Sequence, residues 1–141
     1  MKTDPISRIA TKILIPQIMI FGLYVHFHGD YGPGGGFQAG VILAAAVILY
    51  ALIFGLEESE RAVPMAAVVA CSAIGVLIYS GTGVVGILMG GEYLNYNVLS
   101  YDAIHGQHRG ILWVELGVVT TVFGVMVSLF YAFAGRGRRK T

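Results

Sequence analysis

GFQAGVILAAAVILYALIFGL, residues 36 to 56, runs for 21 positions without one charged side chain. The hydrocarbon layer of a bilayer is about 30 Å thick, which a helix of around 20 apolar residues crosses. A soluble helix would have to hide one stripe and wet the other, and here no polar stripe exists. The stretch therefore predicts a membrane span. Three more runs have the same character: roughly 8–27 (RIATKILIPQIMIFGLYVHF), 63–81 opening on Val63-Pro64, and 111–134 (ILWVELGVVTTVFGVMVSLFYAFA). Pro16 is tolerable inside a membrane helix as a kink, and Pro64 suits a first helical turn. The expected fold is all-α and polytopic, with four transmembrane helices in a single membrane domain over 1–141. The polar segment 82–110 is the expected outer loop, either as an exposed cap or with its first half re-entering the membrane edge.

Composition agrees. Of 141 residues 56% are hydrophobic and 12% charged, and the mean hydropathy is +0.74. Soluble domains carry nearer a quarter charged residues, and a small soluble fold keeps too much surface to conceal so much apolar area. A net charge of +1 argues against nucleic acid as a partner. The lone Cys71 brings no disulfide or zinc pattern. The start MKTDPISR lacks a cleavable signal pattern, so the first apolar run is expected to stay in the mature protein.

Basic residues orient the spans. Lys2, Arg8 and Lys12 flank the first; Arg136, Arg138, Arg139 and Lys140 follow the last. The 28–36 loop has none, the 57–61 loop has Arg61, and 82–110 has Arg109. The positive-inside rule then predicts both termini in the cytoplasm and the loop before residue 36 on the outer side.

That outer loop, GDYGPGGGF at 29–37, is dense in glycine. A phosphate-binding Walker loop would continue Gly-Lys-Ser/Thr, whereas Phe37 and Gln38 follow here. GGGFQA also matches a dinucleotide fingerprint, but that fingerprint requires a preceding strand, and a membrane helix stands there instead. The loop reads as a hinge: Pro33 fixes one φ, and Gly34, Gly35 and Gly36 admit others. Gly36, Gly40 and Ala44 recur at four-residue spacing, a ladder that lets another helix approach closely. A second reading is a helix N-terminus whose free N–H groups bind an anion or orient water.

GPGGGFQAG opening an uncharged second span resembles the signature of the B-subunit family of Mrp-type (Mnh-type) multisubunit sodium/proton antiporters, at Pro33, Gly34, Gly35, Gly36, Phe37 and Gly40. A weaker resemblance lies in LWVELGV, residues 112–118. Asp30 and Tyr31 stand where that family commonly has histidine and asparagine. The resemblance covers nearly the whole chain. It implies a non-catalytic, multi-pass subunit of the inner (plasma) membrane without cofactors. Its partners would be other membrane subunits of the antiporter, the lipid bilayer, and sodium ions and protons. Related modules occur in proton-pumping redox complexes, so a membrane anchor of a membrane-bound hydrogenase is the alternative.

Four polar residues are candidates for an ion or proton route: Glu115, His26, His28 and Asp30. An intramembrane carboxylate costs several kcal/mol unless it is paired, protonated or wetted. Glu115, beside Trp113 near the outer end of the last span, has three open readings: snorkelling to the interface, a structural hydrogen bond, or a relay. On a helical projection Gly117, Thr120, Thr121, Gly124 and Ser128 share one face. Glu115 projects from roughly the other side and so calls for a second protein surface, one that another subunit could supply. His26 and His28 point to opposite faces if helical, and with Asp30 they do not complete a metal site. Asp102, His105 and His108 are spaced at helical intervals, but Gly106 makes a helix there uncertain. No metal is expected at either group. Lys12 is expected to snorkel, and no lysine stands mid-span, so the chain is not expected to pump ions unaided. Ser72, Ser80 and Ser128 have no partner histidine and are expected to bond the carbonyl one turn back.

Overall fold

The computed structural model describes residues 4–29 and 32–136. Five α-helices follow in order: α1 Pro5–His28, α2 Gly36–Phe54, α3 Leu56–Ala62, α4 Met65–Leu88 and α5 Ala103–Ala134, with a 3-10 turn at Tyr96–Leu99 before the last. Among the described residues there is no strand. Four of the helices, α1, α2, α4 and α5, are long and apolar enough to cross a membrane. The shortest, α2, has 19 residues and spans about 28 Å at 1.5 Å per residue. α1 begins on Pro5 in its first turn, where the missing N–H costs nothing, and it continues through Pro16 to His28.

The long helices lie side by side in the order α1, α2, α5, α4. α5 is thus the inner helix that joins the α1–α2 hairpin to α4. Only 17 to 28% of each apolar window is buried within the chain. Side chains such as Ile20 (67% exposed), Leu77 (69%) and Leu88 (80%) face outward. Surface this apolar would not stay dispersed in water, and lipid or other membrane helices must cover it.

Two glycine-lined seams bring the helices together. On the α4–α5 seam a Cβ added at Gly75 would meet Gly117 O at 2.6 Å, and one at Gly124 would meet Val68 O at 2.6 Å. On the α2–α5 seam a Cβ at Gly40 would meet Val122 Cβ at 2.8 Å and Val119 O at 2.9 Å. Inside a bilayer no hydrophobic force separates helix from lipid, so close backbone approach of this kind is what drives packing. The hydroxyls on and beside these seams turn back onto their own helices. Thr121 Oγ1 donates to Gly117 O (2.8 Å), Thr120 Oγ1 to Leu116 O (2.6 Å), and Ser72 Oγ to Val68 O (3.3 Å). Ser128 Oγ donates to Val125 O at 2.9 Å, three residues back.

At the α3 end, Ala44, Val68, Val127 and Tyr131 form the buried core. Tyr131, 2% exposed, shares a hydrogen bond with the fully buried Ser59 hydroxyl (2.8 Å) and donates to Val63 O (3.2 Å). One phenol thereby pins α3 and the α3–α4 link to α5. Tyr131→Phe leaves the buried Ser59 hydroxyl and the part-buried Val63 carbonyl without that partner. The expected loss is about 1–2 kcal/mol, read as a lower melting midpoint of the solubilised protein; an unchanged midpoint would show the bonds to be incidental. Nearby, the cations Arg8 and Lys12 of α1 sit over the Phe54 ring at 5.0 and 5.9 Å, fastening the start of α1 to the end of α2.

The 82–110 segment differs from the expected loop. Helix enters it from both sides: α4 runs on to Leu88, and α5 starts at Ala103. The stretch between these two helix ends, 89–102, carries the 3-10 turn. Gly83 and Gly110 leave notches in the two helices, and the rings of Tyr93 and Tyr96 fill them. Asp102 caps α5, its Oδ1 accepting from Ile104 N at 3.3 Å. Gly106 does not break the helix, because the packed turn against it holds that first stretch of α5 in place.

Candidate functional site

The corner where α1 ends and α2 begins is tied by backbone. Gly32 N donates to His28 O (3.2 Å) and Gly35 N to Val25 O (3.2 Å). Gly35 has φ +123°, a conformation that favours glycine, and a Cβ at Gly34 would collide with Val25 O at 2.6 Å. The chain therefore doubles back within a few residues, and α2 starts at Gly36 directly against α5. An added Cβ at Gly36 would strike Glu115 O.

The same contact brings in the Glu115 side chain. Positions where Gly29 and Gly35 would carry a Cβ lie 3.1 and 3.0 Å from Glu115 Oε1, and Gln38 Oε1 is 3.7 Å from the latter point. Glu115 is half-buried, with its carboxylate in the hinge and beside the first turn of α2. The first N–H groups of a helix lack intrahelical acceptors, and that end carries partial positive charge that complements a carboxylate. The second surface that Glu115 requires is thus the chain's own hinge. α5 has neighbours on two sides, α2 and α4, and both belong to this chain. The helical projection gave the direction of Glu115 correctly but not the element waiting there.

His26 stands one turn before Gly29 and is 4% exposed. Its Nδ1 is buried and has no hydrogen-bond partner among the described residues. It follows by one turn Gly22, whose Cβ would meet Leu43 at 3.1 Å, so His26 lies on the face of α1 that meets α2. Its ring is edge-on to Phe27 at 5.0 Å. His28 goes elsewhere: its ring stacks on Tyr24 at 5.2 Å, and Nε2 lies 3.0 Å from the Cβ position of Gly32. As the helical reading required, the two histidines diverge. Asp30 lies outside the described residues. Pro33 and Phe37 are exposed, Phe37 by 60%, whereas Gly35, Gly36 and Gly40 are buried. The hinge thus brings together Glu115, Gly35 and Gly36, with His26 a turn away, and it leaves His28 on the other flank. Gly29 belongs to the loop read as a hinge, but the sequence marks neither Gly29 nor Gln38 as a neighbour of Glu115. The one signal for Gly29 is a glycine at the end of an apolar helix, which marks a stop and not a neighbour.

The second histidine group serves the helix start. His105 Nδ1 pairs with Asp102 Oδ2 at 3.0 Å on an exposed surface. That bond, with the Ile104 N–H, holds the Asp102 carboxyl below its usual value. Asp102 and His105 act there as a cap.

Comparison with known proteins bears on this arrangement. A family described as a domain related to the MnhB subunit of Na+/H+ antiporter matches residues 6–128. An antiporter subunit named mnhB2 from Staphylococcus haemolyticus is 34% identical over 140 residues, covering 95% of this chain and 96% of that protein. Its namesake from Staphylococcus aureus strain Newman is 33% identical over 137 residues with the same coverage.

Proposed function

We propose, from the premise that this chain belongs to the family of MnhB-related antiporter subunits, that it lines part of an ion or proton route with Glu115 and His26. The chain is a multi-pass subunit of a multisubunit Na+/H+ antiporter in the plasma membrane. Within that role, the placement of Glu115 carries the finer reading. A carboxylate at a helix N-terminus, against a glycine corner that leaves room beside it, is suited to take and release a cation or proton. His26 is buried with one ring nitrogen unpartnered among the described residues, and an imidazole offers one nitrogen that donates and one that accepts. Asp30, in the same hinge sequence, is the third candidate. On this reading the termini are cytoplasmic and the hinge is on the outer face, as the basic residues at both ends favour.

The bulk of transport belongs to partner subunits, because no lysine stands mid-span here and Glu115 is the one acidic residue well inside a span. On this reading the chain is a transporter component and not an enzyme. Its lipid-exposed helices and the hinge would meet other subunits of the antiporter. Affinity purification of a tagged chain from gently solubilised membranes, read by mass spectrometry, tests this. The other antiporter subunits are expected in fixed ratio, and recovery with iron–sulfur subunits instead would favour a redox complex.

A further inference from the structure

We propose that a groove between the end of α4 and the start of α5 holds the phosphate head of a membrane phospholipid, with Arg109 as its ligand. The groove is about 380 Å³ and is lined by Thr82 and Val85 of α4, Met89 just past its end, Leu99 of the 3-10 turn, and Arg109 and Trp113 of α5. α4 and α5 run antiparallel, with Gly75 against Gly117 and Val68 against Gly124, which sets Arg109 level with Val85, Met89 outward of it, and Thr82 and Trp113 inward. Thr82 Oγ1 already donates to Ile78 O at 2.9 Å, so Arg109 supplies the groove's charge. Among the described residues the Arg109 side chain makes no hydrogen bond or ion pair.

Depth points to lipid. Arg109 is the one basic residue between Arg61 and Arg136. It precedes Arg136 by 27 positions along α5 and its end, about 40 Å at helical rise. That separation matches a bilayer measured to its headgroup regions. Trp113, one turn inward on the same side and 52% exposed, stands at the depth where aromatic belts form. A guanidinium offers a planar fork of donors that fits a phosphodiester through two bonds. Beside and inward of it, the exposed flanks of Val85 (44%) and Trp113 (52%) suit the upper methylenes of an acyl chain. A headgroup with its acyl stem satisfies both Arg109 and this apolar lining, and a free anion would satisfy Arg109 alone.

The assembled antiporter carrying this chain, reconstituted in phosphatidylethanolamine and phosphatidylglycerol vesicles, can be photolysed with a tracer of phosphatidylglycerol bearing a diazirine near its glycerol. Labelling is expected on peptides containing 82–89 and 109–113. Arg109→Gln should lower it about tenfold, the factor for losing one charge-assisted bond. Arg109→Lys, which keeps the charge without the fork, should fall between. Blue-native gels should show both variants assembled, since Arg109 is exposed. Excess inorganic phosphate should leave the labelling unchanged. Equal labelling in Arg109→Gln would overturn the proposal. So would displacement by inorganic phosphate, which indicates a free-anion site, or labelling of the same peptides by crosslinks to another subunit in place of lipid.

Discussion

Gly40→Leu is expected to abolish assembly of the antiporter around this subunit, and Gly36→Leu to do the same. The Cβ alone already stands too close at both positions, 2.8 Å from Val122 Cβ at Gly40 and against Glu115 O at Gly36. The obstructing atoms at Gly36 are backbone, so no rotamer change relieves the clash. Moving α2 off α5 would also undo the hinge, because Gly35 N is bonded to Val25 O. Overpacking of this kind costs about 3 kcal/mol at its upper end, roughly two orders of magnitude in the folded population. Gly81→Ala is the control, since nothing stands within 4 Å of its Cβ position. Blue-native gels should show the complex lost in both leucine variants and kept in the control. Intact complex in the leucine variants would mean that the α2–α5 seam is not what holds this subunit together.

Much of this seam was readable in advance. The charge-free stretch 36–56 announced a span because no other environment accepts it, and the four-residue spacing of Gly36, Gly40 and Ala44 announced a close helix contact. The face of Gly117, Thr121 and Gly124 was likewise legible from helical periodicity, and it packs on α4. Periodicity gives a direction around one helix, however, and says nothing about which element lies there. Glu115 was therefore assigned a second surface without its being recognised as the hinge. The ends of α4 and α5 were hidden for a different reason. Gly81, Gly83, Gly86, Gly106 and Gly110 each lower local helix propensity, and the compensation comes from Tyr93 and Tyr96, which fill the notches only once the helices are paired. The Tyr131–Ser59 bond, 72 residues apart in sequence, leaves no local trace at all.

Glu115→Gln carries the second large effect and bears on function more than on stability. Glutamine keeps the volume of the side chain and can still pack between Gly29, Gly35 and the first turn of α2, so the complex should assemble. It cannot bind and release a proton or hold a cation by charge. If Glu115 belongs to the route, transport falls by about tenfold, the factor that follows from losing one charge-assisted interaction. Glu115→Asp shortens the reach from α5 to the hinge while retaining the charge, and it should recover part of the rate. The same pair of variants at a purely structural carboxylate would show matched losses in assembly and transport.

The most direct measurement is sodium-dependent proton movement in everted membrane vesicles, divided by the amount of assembled complex, for the wild-type chain and Glu115→Gln. The account predicts normal assembly with a rate about one tenth of wild type. A rate per complex equal to wild type would contradict it and leave the hinge carboxylate with a packing role alone.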